Sequence, residues 1–126
     1  MNGPALLVVE DVPQIRATAV QLFQELGCEV FDAYNGREAL RILEARPEIQ
    51  VLFADIRMPG MSGPELAQVA RRLRPDLKIV LTSGYVSGDA VPAGIPLVPK
   101  PWRTGDLADV VGRAPATGGW APGRAA

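Results

Sequence analysis

The stretches A-L-L-V-V at 5–9 and V-L-F-A at 51–54 are apolar without interruption. A strand with one wet face alternates, so an unbroken run points to a strand buried on both faces. K-I-V-L at 78–81 is a shorter run of the same kind, whereas E-V-F-D-A at 29–33 alternates and predicts a more exposed strand. A short fifth strand is expected at 95–98, interrupted by Pro96. Between the strands the spacing turns helical. Pro13 fits a first turn, Ala19, Val20, Leu22, Phe23 and Leu26 make an apolar face, and Gly27 is placed to end the helix. Asn35-Gly36 reads as a turn. A helix then runs from Arg37 to about Ala45, with Ala39, Leu40 and Leu43 inward, and ends before Pro47. Pro59, Gly60 and Gly63 enforce a loop, and from near Pro64 the residues Leu66, Val69, Ala70 and Leu73 follow i, i+3, i+4, i+7 up to Pro75. A last helix is predicted from about Thr104 to Arg113, with Leu107, Val110 and Val111 inward.

Strands and helices in strict alternation predict an α/β fold, a parallel sheet with helices on both faces. Right-handed crossovers and five strands favour a flavodoxin-like (βα)5 three-layer sandwich with strand order 2-1-3-4-5. The interval from Gly84 to Pro101 is rich in Gly and Pro. The fourth helix is therefore expected to be short, irregular or absent, with at most two turns around 86–91. Residues 1–113 are read as one domain, and 114–126, which have no periodicity, as a flexible tail.

Composition narrows the chemistry. A length of 126 residues suits one domain, and 48% apolar residues suffice for a core. A formal net charge of −1 gives no electrostatic case for direct nucleic-acid binding. The basic group Arg71, Arg72 and Arg74 reads as a solvated, dipole-favoured helix end. No run is long and apolar enough for membrane insertion, and no signal peptide is evident. Cys28 is the sole cysteine, which fits a core residue and a reducing cytoplasm. The absence of histidine removes Ser-His-Asp and Cys-His catalysis and His-ligated zinc. A functional site must be built from carboxylates, hydroxyls, Lys, Arg and backbone groups, with or without a hard metal ion.

The strand ends supply those groups. The first strand ends on Glu10-Asp11, the third on Asp55, the fourth on Thr82 and the fifth on Lys100. In order 2-1-3-4-5 the first and third strands are neighbours, so Glu10, Asp11 and Asp55 would share a crevice at the switch point, with Thr82 and Lys100 on the same rim. Any one of these residues can simply end a strand, as Asp does in turns. All five on the right ends make coincidence a poor explanation. Crowded carboxylates repel, and oxygen-only ligands select Mg²⁺ or a similar ion. Carboxylate, metal, ammonium and hydroxyl together suit in-line phosphoryl transfer to an Asp.

With L-L-V-V-E-D, D-I-R-M-P-G-M-S-G, L-T-S-G and P-K-P-W in this order, the chain resembles the response regulator receiver domain of two-component phosphorelay signalling, over about residues 5–113. The resemblance implies that Asp55 is the phosphorylation site. It implies Mg²⁺ bound by Asp11, Asp55 and the backbone carbonyl of Arg57, with Glu10 acting through water. Lys100 would contact the phosphoryl group, and its bond to Pro101 would be cis. Thr82 would swing its hydroxyl onto a phosphoryl oxygen and so shift a protein-interaction surface near the last two strands and last helix. The donor would be the phosphohistidine of a histidine kinase or histidine phosphotransfer protein. On this reading the chain catalyses only its own phosphorylation and dephosphorylation.

The chain also departs from the family. The aromatic residue usual three positions before the Lys is replaced by Leu97, and the Thr82–Lys100 interval is short. Dimerisation through the fourth helix, fifth strand and fifth helix is therefore not expected to follow the usual pattern. The shortened interval and T-S-G-Y resemble receivers of hybrid sensor kinases. Trp102 reads as a core anchor for the last helix, and Arg57 as a solvated loop residue or a partner of the phosphoryl group. Two alternatives stand beside this reading. A pseudo-receiver would bind a partner without phosphorylation, but its usual sign is a lost acid or Lys. An Asp-nucleophile phosphatase of the haloacid dehalogenase type needs a second Asp two residues after the first, and neither Asp11 nor Asp55 has one.

Overall fold

The computed structural model describes residues 3–84 and 91–112. In chain order its elements are β1 (Ala5–Val9), α1 (Pro13–Glu25), β2 (Glu29–Ala33), α2 (Gly36–Ala45), β3 (Ile49–Asp55), α3 (Gly63–Leu73), β4 (Lys78–Ser83), β5 (Leu97–Pro99) and α4 (Thr104–Gly112). The five strands form one parallel sheet in the order β2-β1-β3-β4-β5. This is the flavodoxin-like order predicted. No helix among the described residues is long and apolar enough to cross a membrane.

The unbroken apolar runs are explained by two cores, one on each face. Every residue of β1 is buried. Leu6 and Val8 join Val51, Phe53 and Val80 beneath α1 and α4, where Ala19, Phe23, Leu107 and Val110 complete the packing. Leu7 and Val9 point the other way and join Leu52, Ala54 and Leu81 beneath α2 and α3, with Ala39, Leu43, Leu66 and Ala70. Successive side chains of a strand alternate faces, so a central strand that serves two cores has no polar position left.

Helix starts are set by local capping. Asn35 is not a free turn. It caps α2, its Oδ1 accepting from the Glu38 N–H at 2.8 Å, while Glu38 Oε1 accepts from Tyr34 N–H at 3.0 Å. Ser62 and Glu65 make the reciprocal capping box of α3, which begins at Gly63. Gly27 takes φ 92°, a left-handed conformation that closes the end of α1 as expected.

The phase of α3 differs from the prediction. Leu73 was expected inward, yet it is 47% exposed. The buried face is Gly63, Leu66, Ala67 and Ala70. Leu66, Ala70 and Arg74 lie on one row of the helix, so Arg74, just past the last turn, carries the inward direction. Its guanidinium donates to the carbonyls of Leu43, Pro47 and Ile49, with the Pro47 bond at 3.1 Å. Arg71 donates to the Ala93 carbonyl at 3.2 Å. The basic group is thus partly a backbone tie and not simply a solvated helix end. Arg74→Ala should lower unfolding free energy by about 1–2 kcal/mol, since carbonyls at the end of α2 lose their donor. A urea midpoint equal to that of the unaltered protein would contradict this role.

The fifth strand also starts later than predicted, at Leu97. Pro96 has no N–H to give the ladder, although its carbonyl accepts from Leu81 N–H at 3.0 Å. The helix expected around 86–91 falls largely outside the described residues, and Val91 belongs to no regular element. The tail 114–126, and Arg113 at the predicted end of the last helix, also lie outside them.

Candidate functional site

Register places the polar groups. Ala54 pairs with Val9, so Asp55 emerges beside the segment that carries Glu10 and Asp11. Asp55 pairs directly with Thr82, and Ile56 N–H donates to the Thr82 carbonyl at 2.9 Å. Ser83 pairs with Pro99, and Lys100 N–H donates to the Ser83 carbonyl at 2.9 Å. These bonds hold the five predicted side chains at one end of the sheet. The Lys100–Pro101 bond is cis, as expected.

Glu10, Asp11 and Asp55 each offer a carboxylate oxygen, and these oxygens lie within 4.8 Å of one another. Glu10 is 2% exposed and Asp55 7%, so neither charge is well solvated. Lys100 Nζ donates to Glu10 Oε1 at 2.9 Å and to Asp55 Oδ2 at 3.1 Å. Val12 N–H donates to Glu10 Oε2 at 3.2 Å, and Arg16 Nη1 fixes the Glu10 carbonyl at 2.8 Å. Burial pushes the Glu10 carboxyl above its usual range. The Lys100 and Val12 hydrogen bonds oppose that push, and the Asp55 charge adds to it. Burial works against the Lys100 ammonium too, but its hydrogen bonds to Glu10 and Asp55 and their charges outweigh it, and its pKa is raised.

Among these four side chains, three acids face one ammonium. The excess negative charge, the all-oxygen donor set and the half-buried Asp11 at its edge fit a hard divalent cation such as Mg²⁺. Arg57 lies in the loop two residues beyond Asp55 and is exposed.

Gly63 brings α3 against this corner. A Cβ there would run into the Asp55 carbonyl and approach Ile56 Cα to 2.9 Å. Cys28 is buried and unpaired, and burial pushes its thiol up, which suits a core residue.

A family description reading "response regulator receiver domain" matches residues 6–111. The chain belongs to the response regulator receiver family. It is 35% identical over 119 residues to the sensor kinase CckA of Brucella abortus, covering 88% of this chain and 12% of that protein. It is 32% identical over 112 residues to the receiver protein CpdR of the same organism, covering 84% of this chain and 92% of CpdR. Among solved structures, the receiver domain of the hybrid histidine kinase CckA superposes with a TM-score of 0.76 at 34% identity, over 87% of this chain and 97% of that one. The response regulator TrrA of Thermotoga maritima, solved in complex with Mg²⁺ and BeF, gives a TM-score of 0.80 at 32% identity, over 89% of this chain and 99% of that one. The chain is therefore a receiver domain of two-component signalling.

The receiver's Thr82 differs from the other predicted residues. It is 1% exposed, and its hydroxyl donates to the Val98 carbonyl at 2.6 Å. It also accepts from Trp102 Nε1–H at 2.8 Å. Sequence reasoning missed the second bond and read Trp102 only as a core anchor. Trp102 is that as well, with its ring edge-on to Phe53 at 5.6 Å between centroids and Lys100 Nζ 5.8 Å from its own. The available signal was that Trp, unlike Phe, carries a donor.

Proposed function

We propose that this receiver accepts a phosphoryl group on Asp55 from the phosphohistidine of a cytoplasmic histidine kinase or phosphotransfer protein. The observation that carries this reading is the meeting of Glu10, Asp11, Asp55 and Lys100 at one sheet end. A carboxylate oxygen of Asp55 attacks phosphorus as the P–N bond to the donor imidazole breaks, and the product is an acyl phosphate. The rigid end of β3 aims that oxygen outward, and β4 fixes it from one side. Lys100 moves from neutralising the carboxylates to meeting the phosphoryl oxygens, where negative charge has arrived. Thr82 supplies a hydroxyl donor from the neighbouring strand. Asp11, Asp55 and the Arg57 carbonyl would hold Mg²⁺, with Glu10 reaching it through water. The bound ion would screen the carboxylates from the incoming phosphoryl group.

Acetyl phosphate can stand in for the protein donor. Incubation with it should yield a single phosphoryl adduct by intact mass. EDTA should abolish the adduct and added Mg²⁺ restore it. An adduct formed equally well in EDTA would remove the metal from this account.

A further inference from the structure

We propose that Trp102 is a positioning residue, one that latches the Thr82 hydroxyl away from Asp55 until Asp55 carries a phosphoryl group. The inference rests on the phosphoacceptor reading above. A hydroxyl has one proton to donate. That of Thr82 is committed to the Val98 carbonyl at 2.6 Å. Its oxygen is held at the same time by the Trp102 indole N–H at 2.8 Å. At 1% exposure no bulk water competes for either bond. Thr82 is nonetheless the cross-strand neighbour of Asp55.

For Thr82 to donate to a group on Asp55, its proton must leave Val98 and its oxygen must turn from the indole. The indole is a donor only, and it does not follow freely. Its ring is packed edge-on against Phe53 in the core and lies beside the Lys100 ammonium. Its backbone stands two residues before α4. A partly buried N–H that loses its acceptor opposes the movement. Trp102 therefore weights the population toward the held Thr82, and the phosphoryl group must outweigh it.

The test uses Mg²⁺ with beryllium fluoride as the phosphoryl stand-in. Trp102→Phe keeps a ring but deletes the donor. It should bind the stand-in about fivefold to tenfold more tightly than the unaltered protein, the equivalent of one net hydrogen bond. In a Thr82→Val background the same substitution should change nothing, because the partner is already gone. Without metal or fluoride, the Trp102 indole N–H should exchange slowly with solvent in the unaltered protein and measurably faster in Thr82→Val. An unchanged or weakened affinity in Trp102→Phe, or an equal gain with Thr82→Val, would overturn the latch. So would indole exchange that ignores Thr82. If the unaltered protein binds no stand-in, the phosphoacceptor reading itself fails and takes the latch with it.

Discussion

Gly63→Ala is expected to destabilise the fold by about 3 kcal/mol. The reason is space and not dihedral angle, since Gly63 is not among the glycines with positive φ. A new Cβ would meet the Asp55 carbonyl and Ile56 Cα, both backbone, so no side chain can swing aside. Either α3 backs off its capping box or the end of β3 shifts, and the second moves Asp55. Helix propensity alone predicts the opposite sign, a gain of about 0.5–1 kcal/mol for Gly→Ala. Gly105, in the first turn of α4, is the internal control, because a Cβ there meets nothing within 4 Å. Gly105→Ala should therefore raise the urea midpoint while Gly63→Ala lowers it steeply. A gain for both would mean that α3 is free to retreat.

Lys100→Ala is expected to slow phosphorylation by acetyl phosphate about 10²-fold or more, the usual cost of losing one preorganised donor to developing charge. The same change should tighten Mg²⁺ binding. Lys100 bridges Glu10 and Asp55 at 2.9 and 3.1 Å, and without it both carboxylates lose that ammonium. Without metal the variant should be less stable. Because the Lys100 pKa is raised, its stabilising contribution is complete below the ordinary 10.5. It is lost only as pH rises through the higher folded-state value. The stability difference should thus persist at neutral pH and close in strong alkali. Faster phosphorylation, or weaker Mg²⁺ binding, would show that Lys100 is only a structural tie.

Much of this was legible in the sequence because the physics is local. Unbroken apolar runs at 5–9 and 51–54 can be accommodated only by strands that serve two cores, and those strands end on Glu10, Asp11 and Asp55. The parallel order then decides that the acids meet. What the sequence hid depends on neighbours in space. Leu73 matched the helical spacing, but the close approach of Gly63 to Asp55 fixes the phase of α3 and hands the last inward position to Arg74. Asn35-Gly36 has the composition of a turn and becomes a helix cap because Glu38 can reach back to Tyr34. Trp102 looked like packing, since nothing in P-K-P-W says that its indole points at a hydroxyl contributed by β4.

The proposed acceptor of the phosphoryl group is Asp55, one of three crowded acids. The most direct measurement is the intact mass of the unaltered protein and of Asp55→Asn after acetyl phosphate and Mg²⁺, with folding of both checked by circular dichroism. One phosphoryl adduct on the unaltered protein and none on Asp55→Asn is the predicted result. An adduct that survives in folded Asp55→Asn, or none on unaltered protein that binds Mg²⁺, would contradict it.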